Sequence, residues 1–318
     1  MHAVKTILKK ELADHFSSYR FMILFSLIAM VSLITAYMAG LNLKQELESV
    51  AKPRFVFLML FTAPGALFSL VQFVAFFGPL IGLILGFDAI NRERNEGTLS
   101  KLLSQPIYRD DVINGKFLAG MALIAVILIS IVLVITGLGL SILGIIPGIE
   151  EIWRILIYLI ISIIYVSFWL GVSILFSITF RSVATSALAA LAAWIFFSFF
   201  ISLGASVMAN AIVPEASESD PESLVARAKI TEAITLTSPM QLYSDATATI
   251  IDPLQKTTRS FVRVGMIEQF SMSRFSGPLP LSQSLLVVLP YIISLVAITV
   301  VCFAISYTVF MRQEIRSF

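Results

Sequence analysis

Residues able to do covalent or proton-transfer chemistry are scarce in this chain and stand far apart. The two histidines, His2 and His15, fall within the first fifteen positions, and the one cysteine, Cys302, sits in an apolar run near the other end. A serine hydrolase needs a base beside its nucleophile. A zinc site needs three or four ligands of the His, Cys or carboxylate kind. No such set is evident around these three residues. No stretch matches the G-x-x-x-x-G-K-[ST] loop that cradles nucleotide phosphates, so the chain is not expected to be an enzyme that hydrolyses ATP itself. The eleven methionines are dispersed, with Met266 and Met272 the close pair among them outside the apolar runs; thioethers so scattered read as packing rather than copper ligands. Nor is there a basic block to bind nucleic acid, and the net charge is only +2.

The polar residues that do cluster are ionic. The stretch from Asp88 to Lys116 holds five basic side chains (Arg92, Arg94, Lys101, Arg109, Lys116) and five acidic ones (Asp88, Glu93, Glu96, Asp110, Asp111). Mixed charge of this kind suits docking better than catalysis. Inside it, Leu99, Leu102 and Leu103 recur at i, i+3 and i+4, which draws one apolar stripe on a short helix. Glu93 and Glu96 precede the stripe, Gly97 permits a break before it, and Pro106 stops it. A short striped helix suits insertion into a partner's groove, but it also suits a helix resting on lipid headgroups. The residues alone leave both open.

The elements that would carry this stretch are membrane spans. Hydrophobic residues make up 58% of the 318 and charged ones 13%, against about 25% charged in a soluble domain. Six runs of roughly 20 apolar residues are long enough to cross a bilayer: Phe21–Gly40, Ala66–Phe87, Phe117–Leu140, Ile155–Phe180, Val183–Val207 and Leu285–Phe310. The expectation is an all-α polytopic membrane protein with six transmembrane helices. Residues 1–20 precede them as an amphipathic interfacial helix with Val4, Ile7, Leu8, Leu12 and Phe16 on one face. Residues 21–318 form the transmembrane domain. Residues 55–62 are too short to cross and read as a partly buried outer segment.

Two polar regions divide the spans, the loop 88–116 and a longer one at 208–281. The second is expected to contain helices at Glu222–Leu236 and Ser238–Ile251. Placing the N-terminus inside puts twelve Lys and Arg on the inner side and four (Lys44, Lys52, Arg54, Arg154) in the short outer loops. That bias predicts an N-in, C-in topology, with 88–116 cytosolic and 208–281 a large external loop between helices 5 and 6. No acidic or basic residue falls deep in any of the six spans. Self-powered carriers usually place ionisable groups there, so energy is expected to come from elsewhere. In span 5 the small residues Ser186, Ala189, Ala190 and Ala193 would let another helix approach closely, either from a second subunit or within the same one.

The ordered pattern Glu93-x-x-x-Gly97-Thr98-Leu99-x-x-Leu102-Leu103-Ser104-x-Pro106-Ile107-x-Arg109, followed by Val112 and Lys116, resembles the signature of ABC-2 type transporter permeases. Within that family it is most similar to the sodium-efflux, multidrug and nitrous-oxide-reductase-maturation group. The resemblance implies a permease subunit of the cell membrane that works as a homo- or heterodimer on two ATP-binding-cassette ATPase subunits. ATP and Mg would be held by the ATPase, and no cofactor by this chain. It also implies a coupling helix at about Arg92–Ser104 that seats in the ATPase. Glu93, Glu96, Gly97, Thr98, Leu99, Leu102 and Leu103 would make that coupling, with Pro106, Arg109 and Lys116 anchoring the return into span 3. Export of a substrate is the expected activity. The alternative is a scaffold or mechanotransmission subunit that drives an external partner through 208–281.

Overall fold

A computed structural model of the chain describes residues 2–49, 55–62, 69–104, 107–213, 221–253 and 278–313. Among them there are helices and turns and no strands. A surface helix α1 (His2–Phe16) leads into α2 (Tyr19–Ser49). The short α3 (Val56–Thr62), α4 (Leu70–Gly86), α5 (Asn91–Asn95) and α6 (Thr98–Leu103) follow. Next come α7 (Arg109–Leu143), α8 (Ile149–Thr179) and the run α9 (Val183–Ile195), a π turn at Phe196–Phe200, and α10 (Ile201–Ile212). The chain then forms α11 (Pro221–Thr235), α12 (Pro239–Ile251) and α13 (Leu281–Arg312). Six of these runs are long and apolar enough to cross a membrane, as expected: α2, α4 with α5, α7, α8, α9 to α10, and α13.

Several spans start earlier than their apolar runs. Span 3 was expected from Phe117, yet α7 begins at Arg109. Asp110 and Asp111 lie in its first turn, where carboxylates stabilise the positive end of the helix dipole. Likewise α8 opens at Ile149 with Glu150 and Glu151 in its first turn. Charged residues near both span starts thereby become part of rigid helices rather than loops.

At the centre of the bundle stands α8, packed on α4, α7, α9, α12 and α13. Its approach to α4 depends on missing side chains. Gly78, Gly82 and Gly86 lie four residues apart on one face of α4, the spacing that lets helix backbones meet. A Cβ on Gly82 would lie 2.6 Å from the Val166 carbonyl oxygen and 2.8 Å from the Leu170 nitrogen. The close approach brings polar groups within reach: Ser173 donates to the Leu83 carbonyl at 2.8 Å and Tyr165 to that of Ala75 at 2.7 Å. The short α3 is buried through Val56, Phe57, Leu58, Leu60 and Phe61. Its Phe57 N–H donates to Glu151 at 3.0 Å, which satisfies an amide that a helix start leaves orphaned.

Residues 221–251 do not stand clear of the spans. From the top of α10, α11 turns back along it, and α12 then packs on α8, α13 and α4. Ser238, between the two helices, donates to the Phe197 carbonyl at 2.8 Å. Phe197 lies midway along the 30-residue run Val183–Ile212, inside the π turn, whose wider winding frees a carbonyl for such a partner. Further along, the Tyr243 ring stacks on Tyr165, centroids 4.4 Å apart. A re-entrant helical hairpin thus reaches about half the depth of the bundle. Asp245, buried on α12, accepts from Gln241 at 3.0 Å, and its charge is felt by Glu232 on α11. The six spans remain free of deep charge, but the hairpin carries carboxylates inward, which span-by-span reading of the sequence missed.

Candidate functional site: a charged hub and its link across the bundle

The ionic stretch singled out in the sequence folds as α5, a break and α6. Gly97 makes the break with a φ of 69°, and a Cβ there would meet nothing, so the residue is required by backbone conformation. Thr98 donates its hydroxyl to the Glu93 carbonyl at 3.2 Å and ties the two short helices together. Leu99 is 1% exposed. Its side chain is covered by its own chain. The Leu102 and Leu103 side chains and Pro106 lie outside what the structure describes.

The element is fastened to the ends of five other helices. Lys116 of α7, its side chain 5% exposed, binds Glu93 and Glu11 of α1 at 2.9 Å each. Lys10 adds contacts to Glu11 at 3.1 Å and to Glu93 at 3.5 Å. Burial alone would raise the Glu11 carboxyl, but the two lysines outweigh it and hold it below its ordinary value. Close packing puts α1 in place: Ile7 is buried over Gly115, where a Cβ would come within 2.6 Å of it. The apolar face of α1 is therefore shared with α7 rather than left wholly to lipid.

On the other side, Ser177 near the end of α8 accepts from the Ile90 and Asn91 amides at 2.9 and 3.1 Å. Asn95 donates to the Arg181 carbonyl at 3.2 Å, in the turn before α9. Arg94 reaches the Ile178 carbonyl at 3.4 Å and Gln313, the residue that ends α13, at 2.5 Å. Arg109 donates to the Gln313 carbonyl at 3.0 Å. At the start of α2, Arg20 pairs with Asp88 at 2.7 Å. Glu96 pairs with Arg92 one turn away at 2.9 Å, both more than half exposed. The two ends of the described chain meet at this end of the bundle, as an even number of spans requires.

A cleft of about 880 Å³ opens between the α1–α2 elbow and α4, α5 and α6. Its lining holds five basic and five acidic side chains together with Phe21, Leu24, Ile84 and Leu85.

The opposite end of α8 carries an arginine that the sequence reading counted as a short-loop cation. Arg154 is instead wholly buried. Its Nη1 donates to the Thr249 and Ile250 carbonyls, both at 3.1 Å, and to Ser284 at 3.2 Å. Its Nη2 reaches the Leu279 carbonyl at 2.6 Å and Glu150 at 3.0 Å. The first two carbonyls belong to the last turn of α12, which has no intrahelical donors and attracts positive charge. One guanidinium so fastens the exit of the hairpin and the entry to α13 onto α8.

Of the small residues of span 5, Ser186 and Ala190 are fully buried within this chain, while Ala189 and Ala193 are half-buried. The surface that α9 and α10 leave open is large and apolar, with Leu188, Leu191, Phe199 and Phe200 exposed.

Six helices long and apolar enough to cross a membrane, packed in one bundle, make this a multi-pass membrane protein. A sequence profile of the ABC-2 family of transporter proteins matches residues 5–315, and the chain belongs to that family as a permease subunit of an ABC transporter. It is 31% identical over 151 residues to the probable ABC transporter permease protein NosY of Pseudomonas aeruginosa, 47% of this chain and 49% of that one. It is 32% identical over 131 residues to the protein of the same name from Stutzerimonas stutzeri, 41% of this chain and 43% of that one. The chain thus spans less than half the length of these curated relatives.

Proposed function

We propose that this permease exports a substrate using ATP hydrolysed by a separate cassette ATPase, which docks on the α5–α6 hub. In this reading the hub end is cytosolic, two ATPases serve two permeases, and ATP and Mg stay on the ATPases. One observation carries the reading: the stretch from Asp88 through the two short helices is bonded to the ends of α1, α2, α7, α8 and α13. A push on it reaches every one of those helices at once. Among them α8, 31 residues and about 46 Å long at 1.5 Å per residue, also holds the hairpin at its far end through Arg154. It is the rod along which movement at the hub would reach the opposite side.

Only contacts that differ between nucleotide states can move such a rod, and the hub supplies candidates in Glu93 and the exposed Glu96. The second permease sits against the open face of α9 and α10, with Ala189 and Ala193 at its margin rather than at its centre. The same linkage supports the second reading, in which an external partner at the hairpin end is driven in place of a solute.

Proteoliposomes holding permease and ATPase test the proposal. Glu93→Ala and Leu103→Asp are expected to abolish ATP-dependent flux while ATPase activity and membrane insertion persist. Full flux from either variant, or uphill transport by the permease without its ATPase, overturns it. Flux that is absent even in the wild type, together with nucleotide-dependent release of a partner bound at the hairpin end, selects the second reading.

A further inference from the structure

Gln313, the partly buried residue that ends α13, joins four helices. Its side-chain Nε2 donates to the Ile178 carbonyl, in the last turn of α8, at 2.8 Å. Its Oε1 accepts from Arg94 of α5 at 2.5 Å, and its backbone carbonyl accepts from Arg109 at the start of α7 at 3.0 Å. Arg94 reaches the same Ile178 carbonyl at 3.4 Å, which closes a ring of three groups. A carbonyl can only accept and a guanidinium can only donate, so the amide has one orientation and must serve both partners at once. A carboxylate here would keep the bond to Arg94 and lose the one to Ile178. An ammonium would do the reverse.

The last span depends on such ties. It packs on α8 and α12 along one face and leaves Leu286, Ile293, Val300 and Ile305 exposed. Lipid chains are as apolar as a neighbouring helix, so in a bilayer packing alone gives a peripheral span little reason to follow one neighbour. Polar ties between α13 and α8 occur at three levels. At the far end Arg154 holds Ser284 and the Leu279 carbonyl. Midway, Ser306 reaches the Gly171 carbonyl at 3.3 Å while sharing its proton with Cys302 of its own helix at 3.0 Å. At the hub end the tie is Gln313. Thr249 of α12 donates to the Ser284 carbonyl at 3.3 Å, so the hairpin is attached to the same span. Two long helices are thus pinned at both ends, and the hub is bonded to one of the pins.

We propose that Gln313 is a positioning residue for coupling: its amide makes α13 follow the hub in step with α8, so that the pair carries α12 as one body. This assignment rests on the docking of an ATPase at the hub. It differs from a role in holding the bundle together, and glutamate separates the two. A glutamate at 313 would form a charge-assisted pair with Arg94, stronger than the neutral bond it replaces, so a purely structural position tolerates it. A position that must also hold α8 does not.

The complex of permease and ATPase in nanodiscs tests this by spin-label distances, in a Cys302→Ala background, without nucleotide and with a non-hydrolysable ATP analogue and Mg. Labels replace exposed Thr179 at the hub end of α8, exposed Thr308 at the hub end of α13 and exposed Ile23 on α2. The two threonine hydroxyls bond only within their own helices. In the wild type the analogue should shift the 179–23 distance and leave 179–308 unchanged. In Gln313→Met, which loses the bond to a charged group, the in-step population should fall about tenfold; in Gln313→Glu, which loses a neutral bond, about fivefold. Both would then show a 179–308 distance that moves with nucleotide. The melting temperature of Gln313→Glu should stay at or above the wild-type value, which a merely structural loss would not allow. A fixed 179–308 distance in either variant, while 179–23 still responds, overturns this inference alone. A wild-type complex in which nucleotide moves neither distance overturns the docking reading, and this inference with it.

Discussion

The two ends of α8 are fastened by different chemistry. Around the hub end, ion pairs between side chains accompany the bonds that Ser177 and Ile178 of α8 make with the hub, and several partners are more than half exposed, as in Arg92–Glu96 and Lys10–Asp14. Exposed pairs of this kind are worth about 0–1 kcal/mol each, so they can be exchanged for contacts with a docked partner at small cost. At the far end one fully buried guanidinium holds carbonyls from two other segments. Breaking a buried charge network by removing one partner costs roughly 3–5 kcal/mol. One end is built to rearrange and the other to travel unchanged with the helix that carries it.

The largest effect should therefore come from the far end. Arg154→Met is expected to destabilise the permease by about 3–5 kcal/mol and to expose residues 239–251 to hydrogen exchange. Arg154→Lys should restore only part of this, since an ammonium cannot reproduce the forked donors of a guanidinium. If thermal unfolding of both variants matches the wild type, the contrast between the ends is false. Next in size is the seam between α4 and α8. Gly82→Ala places a Cβ against the Val166 and Leu170 backbone, which cannot rotate away, and overpacking of this kind costs about 1–3 kcal/mol. The same change at Gly137, where a Cβ meets nothing, is the control and should leave the melting temperature nearly unmoved.

These two sites also mark how far the sequence could be read. Span number and the position of the ionic stretch were legible, because a bilayer demands long apolar runs and leaves charge to the gaps between them. Gly97 was legible as a break, since it acts within a few residues of itself. The seam was legible too, since Gly78, Gly82 and Gly86 repeat at four-residue spacing. Arg154 was not. Two residues from Ile152 and next to Trp153, it looked like a loop cation, and only the return of α12 and α13 to the same spot buries it. The burial of Leu99 was hidden for a similar reason. Helical spacing identifies an apolar face without saying whether a partner or the chain itself covers it.

At the hub a middle-sized effect is expected. Lys116→Met removes the more buried of the two cations shared by Glu11 and Glu93 and leaves these carboxylates, at 12% and 15% exposure, with Lys10 alone. The loss should be about 1–3 kcal/mol, the cost of leaving buried polar groups unsatisfied. Adding Glu11→Gln should recover part of it by removing one of the opposed charges. A double variant no more stable than Lys116→Met alone would mean that the three side chains do not act as one network.

The smallest effect should be that of acid on α1, and its sign follows from the same cluster. His15 is held below its ordinary 6.5 chiefly by burial, with Lys116 adding to the shift and Glu11, Asp88 and Asp14 opposing it. The folded state therefore binds fewer protons than the unfolded one, and stability rises with pH across that window. Its contribution is fully present above 6.5 and is lost as pH falls through the folded value. Glu11 acts in the same direction lower down: its folded carboxyl lies below the ordinary 4.5, so its share is present above 4.5 and lost as pH falls further. Acid should accordingly loosen α1 in two stages, the imidazole first. Hydrogen-exchange protection factors for residues 2–16 should fall between pH 7.5 and about 5.5, while those of 239–251, clamped by the buried Arg154, hold steady. His15→Gln should erase the first stage and keep the second. Equal loss of protection at both places would show that acid opens the bundle as a whole, and the distinction between an exchangeable end and a fixed one would fail.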